Sequence, residues 1–116
     1  MIANGPARAH DDARHTQYVA ALAAASRLLA TISPQPTAIE IRCYTFTPEV
    51  VEIRANAHKD LGALQQWQTQ LGGDLVHDIY PSGGIHWSLS VEIAGVPVEL
   101  WTLLDAPEAE QAGGAA

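Results

Sequence analysis

The chain has 116 residues, 47% of them apolar, with a formal net charge of −7 and only six Lys and Arg. That is room for one domain around a single core, with no apolar run near the roughly 18–20 residues that span a bilayer. Too few cations are present to neutralise a phosphate backbone, so neither a membrane nor a nucleic acid is an expected partner. The acidic residues are scattered, several beside arginines, and read as a source of solubility rather than as a DNA mimic.

Residues 1–10 lack the apolar centre of a secretory signal, and a lone cysteine, Cys43, cannot form an internal bridge. Cytoplasmic residence is the expectation. Residues 1–10 and 106–116 carry little that packs and are expected to be disordered, which leaves a single domain over 11–105.

A first helix is predicted from Asp11 or Asp12, either able to cap it, to Ile32, with Tyr18, Leu22, Ala25, Leu29 and Ile32 on its apolar stripe. The prolines at 34 and 36 stop it. Two strands follow, TAIEIRCYT and EVVEIRANA, either side of Phe46-Thr47-Pro48. Placing Ile41 opposite Ile53 turns both apolar sets to one core. The same register sets Glu40 opposite Arg54 and Arg42 opposite Glu52 on the other face.

A second helix is predicted over about His58 to Leu71, packing Leu61, Leu64, Trp67 and Leu71 and ending at Gly72-Gly73. DLVHDIYP reads as a third strand, PSGG as a loop, and IHWSLSVEI with VPVELWTLL as a closing hairpin around Ala94-Gly95. A two-residue turn sends Ile85, Trp87, Leu89, Val91 and Ile93 to the core with Val96, Val98, Leu100, Thr102 and Leu104. His86, Ser88, Ser90 and Glu92 then share the reverse face with Pro97, Glu99, Trp101 and Leu103.

The order α-ββ-α-βββ predicts an α+β two-layer sandwich, a five-stranded, mainly antiparallel sheet with both helices on one face. The expected spatial order is 2-1-3-4-5, every neighbouring pair antiparallel, with the strand bearing Pro97 at an edge.

Chemistry is thinly signalled. Asp11 and His15 stand one helical turn apart, but two ligands make no metal site, and acids at a helix start suit the dipole. Cys43 and Trp67 and Trp87 fall on core phases and read as packing residues. No cofactor, metal or catalytic set is expected. His77, Ser82 and His86 flank the PSGG loop and, were both histidines on the outer face, suggest a small-molecule-binding or hydrolytic site.

The stronger signal is Trp101. On the helix-free face, Trp101 and Leu103 would leave on the order of 200 Å² of apolar area wet, at about 25 cal/mol per Å². With Tyr44, Val50 and Glu99 they form a candidate interface. The expected function is therefore a non-catalytic interaction or regulatory module whose partner is a second copy, as a homodimer, or another protein.

Overall fold

The computed structural model describes residues 6–44, 47 and 50–106. Its elements are α1 (Pro6–Thr31), β1 (Ala38–Cys43), β2 (Val51–Asn56), α2 (Leu61–Leu71), β3 (Leu75–Ile79), β4 (Ile85–Ile93) and β5 (Val96–Leu104). Together they form the expected α-ββ-α-βββ sandwich, with both helices contributing to one core on one side of a five-stranded sheet. Among the described residues no helix is long and apolar enough to cross a membrane.

α1 starts at Pro6, more than a turn before the expected caps at Asp11 and Asp12, and proline suits a first helical position because its missing donor is unpaired there anyway. Residues 6–10 are thus helical, while the rest of the predicted arm, 1–5, and the tail from 107 onward lie outside the described residues. The buried stripe of α1 is Ala21, Ala24, Ala25, Leu28 and Ile32, with Tyr18 packed beside it. Leu22, expected inward, is 60% exposed, and Leu29 is only half-buried. Two stripes with the same spacing compete in this alanine-rich helix. The one that wins puts small side chains against the sheet, so that the helix backbone approaches closely while Leu28 and Ile32 supply the volume.

α2 is shorter than predicted, because Asp60 is its N-cap: the carboxylate accepts from the Ala63 amide at 2.9 Å. Its stripe is the expected one. Leu64 and Trp67 are fully buried, and the Trp67 indole donates to the Pro34 carbonyl at 2.7 Å. Gln70 holds both the amide and the carbonyl of Ser33, at 2.9 and 2.8 Å, which ties the end of α1 to α2. Gly72, with φ +83°, ends the helix.

β1 and β2 pair in the expected register, Ile41 opposite Ile53, and the β4–β5 hairpin does so as well, Leu89 opposite Leu100. The order of strands differs from expectation. It is β1-β2-β5-β4-β3, and β2 runs parallel to β5. The all-antiparallel order 2-1-3-4-5 fails because it would leave β5 at an edge. β5 buries Val96, Val98, Leu100, Thr102 and Leu104 in strict alternation and gains most from neighbours on both sides, whereas β3 is short and mostly exposed. Pro97, expected on an edge strand, is accommodated in this central strand because the β2 pairing begins one residue later, at Val98.

Thr102 is the polar member of the core row and is fully buried. Its hydroxyl donates to the Ala57 carbonyl and accepts from the Asp60 amide at 3.1 Å, which fixes the turn from β2 into α2.

Candidate functional site on the outer sheet face

Trp101 lies where parity requires, on the helix-free face of β5. Its row across the sheet is Ala38, Asn56, Trp101, Ser88 and Val76. The indole is half-buried, and its cover comes from the flanking rows. Arg54 is paired with Glu99, two residues before Trp101 on β5, and holds its guanidinium carbon 5.2 Å from the indole centre. His86 is paired with Leu103, two residues after, and stacks at 5.5 Å with 27° between planes. Tyr80 stacks in turn on His86 at 6.0 Å and 12°.

A line of π systems thus crosses the outer face from Tyr80 through His86 to Trp101 and ends on a cation. Sequence reading missed Arg54 and Tyr80 as members of this line. The signal for Arg54 depended on the β2–β5 neighbourhood, which parity within hairpins does not reveal. Arg54 also makes an ion pair with Glu99, 2.9 Å from its terminal nitrogen and 3.0 Å from Nε to the same oxygen. Glu99, an expected interface residue, is therefore engaged within its own chain.

The five expected interface residues do not form one patch. Leu103 adjoins Trp101, half-buried on the same face. Tyr44 and Val50 lie at the other end of the β1–β2 pair, six strand residues or about 20 Å along from the Trp101 row. Between them runs a charged band of Glu40, Arg42, Glu52, Arg54 and Glu99. There Arg42 pairs with Glu40 of its own strand at 2.6 Å rather than across to Glu52. Glu52 instead accepts from the Tyr44 hydroxyl at 2.6 Å, and this hydrogen bond to a carboxylate raises the Tyr44 phenol above its ordinary pKa of 10.0.

His77 and His86, which only a shared outer face would bring together, are on opposite faces. His77 pairs with Trp87 and lies against its ring at 4.6 Å on the helix side, whereas His86 pairs with Asp78 on the outer side. The cause is loop length. Tyr80 donates to the Gly84 carbonyl at 2.8 Å and Gly83, at φ +91°, donates back to Tyr80, so the loop is Pro81-Ser82-Gly83 rather than all of PSGG. One residue fewer in the loop shifts the register and turns β3 over. Ser82 stays in the turn, where its hydroxyl accepts from the Gly84 amide at 3.4 Å. The hydrolytic arrangement of His77, Ser82 and His86 is therefore not assembled.

Near the amino terminus, Asp11 pairs with Arg14 at 3.3 Å. Among the described residues no three His, Cys, Asp or Glu side chains converge as a metal site would require.

Two shallow depressions flank Trp101 and share Asn56 as a wall. One, about 100 Å³, is completed by Ala38, Glu40 and Arg54; the other, about 160 Å³, by His58, Lys59, Leu103 and Asp105. Both fall short of the roughly 300–1,000 Å³ of sites that enclose a small organic ligand. Among the described residues, the outer face is an open, mixed surface with an aromatic line across it. No known protein family, curated protein or solved structure matches the chain.

Proposed function

We propose that this protein is a non-catalytic interaction module that binds a second copy of itself through the outer face of its sheet, around Trp101. The observation that carries this reading is the uncovered face itself. Five strands stand side by side, and among the described residues neither helix lies over the side bearing Trp101, Leu103, Val76 and Tyr80. Arg54 and His86 shield the indole only in part, while Val76 and Tyr80 remain 57% and 42% exposed.

The size of the face supports the reading. Strands of 6, 6, 5, 9 and 9 residues, at about 3.3 Å rise and about 4.8 Å spacing, give about 550 Å² per copy. Two copies then bury about 1,100 Å², just above the ~1,000 Å² total that a specific interface needs. Its chemistry does too, since an aromatic and aliphatic zone is bordered by residues of both charges, which a twofold axis can set against each other. Cytoplasmic residence belongs to the same reading, because a single cysteine suits a reducing compartment.

Sedimentation equilibrium of the wild type and of Trp101→Ala tests the proposal, with circular dichroism to show that the variant keeps its fold. The expected result is a self-associated wild type and a folded variant of half its sedimenting mass. A wild-type monomer throughout the concentration range overturns it, as does a sedimenting mass that Trp101→Ala leaves unchanged.

A further inference from the structure

We infer that the β3 edge is a second self-association surface, at which two copies pair β3 antiparallel about a twofold axis through His77 and merge their sheets into one. This contact lies in the plane of the sheet and is independent of the outer-face contact.

β3 ends the sheet, with no strand on its far side among the described residues. Strand edges of this kind are commonly blunted by charged side chains, lysine above all, by proline, by a bulge or by a covering element. Leu75–Ile79 has one charge, Asp78, and no lysine, proline or bulge. The helices pack mainly elsewhere, α1 over β1 and β2 and less over β4 and β5, α2 over β4 and β5. Among the described residues Ile79, at 68%, is the most exposed large apolar side chain; it lies on the helix side of the strand, while Val76 and Tyr80 are exposed on the outer side. The opposite edge, β1, carries Glu40 and Arg42, already paired with each other.

The backbone selects the register. Tyr80 exchanges both its amide and its carbonyl with the β3–β4 loop, so alternation turns the backbone groups of Asp78 and Val76 toward β4 and those of Leu75, His77 and Ile79 toward the open edge. An axis through His77 sets it opposite the partner's His77 and sets Leu75 opposite the partner's Ile79. All three outward residues of each copy then find hydrogen-bonding partners, about six bonds in all. Moving the axis to Asp78 sets that carboxylate against its own copy and leaves Leu75 facing Pro81. Moving it to Val76 sets Asp74 against Asp78 and leaves Ile79 facing Gly73. Residues of like parity pair in each case, so the helices of both copies stay on one side, but only the axis through His77 satisfies every outward group without opposing two carboxylates.

A directly opposed pair of this type has its Cα atoms about 5.5 Å apart, within disulfide range. In a Cys43→Ser background, mild oxidation of His77→Cys is therefore expected to give a disulfide-linked dimer. Ile79→Cys, whose two copies would stand about 14 Å apart, is expected to stay uncrosslinked. His77→Pro removes the outward amide donor at the axis and leaves the β3–β4 ladder whole. It is expected to reduce the sedimenting mass twofold with an unchanged circular dichroism spectrum. Crosslinking of neither cysteine variant, or of both equally, overturns the inference, as does a wild-type monomer at all concentrations, which would leave the edge to a different chain. Because the two surfaces are separate, Trp101→Ala is expected to leave the His77→Cys crosslink intact. Failure of the outer-face contact and failure of the edge contact thus give different results.

Discussion

Arg54 and Trp101 meet across the parallel β2–β5 pair, the guanidinium carbon 5.2 Å from the indole centre while the same side chain pairs with Glu99. One residue thereby shields a tryptophan on a helix-free face and neutralises the glutamate next to it. Replacing Arg54 with Ala removes both contacts. With the ion pair about a third exposed, the expected cost is about 1 kcal/mol in urea denaturation. Arg54→Lys is expected to recover less than half of it, because an ammonium does not stack as a planar guanidinium does. Equal stability of all three proteins would show that the stacking contributes nothing.

The β4–β5 turn carries a correctable strain. Ala94 has φ +50° and Gly95 φ +82°, the signs that a type I′ turn demands at both central positions. An alanine pays for the left-handed region where asparagine is tolerated. Ala94→Asn is therefore expected to raise stability by about 0.5–1 kcal/mol with the hairpin register unchanged. A lower thermal midpoint in calorimetry would contradict this account of the turn.

Tyr44 offers a pH signature. Its hydroxyl donates to Glu52, so the fold favours the neutral phenol and raises its pKa above 10.0. The stabilisation is complete below the unfolded value and is lost as the pH climbs through the raised folded one. An absorbance titration of phenolate is expected to show a tyrosine ionising late. Tyr44→Phe removes that component, and Glu52→Gln returns it toward 10.0. A titration curve unchanged by Glu52→Gln would mean that the hydrogen bond does not persist in solution.

Much of this architecture was legible in the residues. Apolar alternation in IHWSLSVEI and VPVELWTLL, joined by a two-residue turn, suffices to put Trp101 on the outer face, because a period of two leaves only one phase for a buried side. Charge and parity agree likewise on the pairing of Ile41 with Ile53. The face of α1 was not legible. Apolar residues stand all round it between Tyr18 and Ile32, so that two stripes of equal spacing existed and only the sheet beneath chose between them.

The candidate site divides along the same line. That Trp101 would need cover followed from its position, but the cover itself comes from Arg54 on a strand distant in sequence and from His86 in register with Leu103. The separation of His77 from His86 turned on one residue of loop length, which PSGG read as letters does not disclose.

Local periodicity and turn chemistry alone determined the order of elements, the two hairpins they close and which side chains each hairpin sends inward, since those depend on contacts between neighbours in the chain. Which strand lies in the middle, which edge is left open and what lies over Trp101 were decided only when all the elements competed for the same core. β5 took the centre because its alternating apolar side chains bury most area there, and β3 was left at the edge of the sheet.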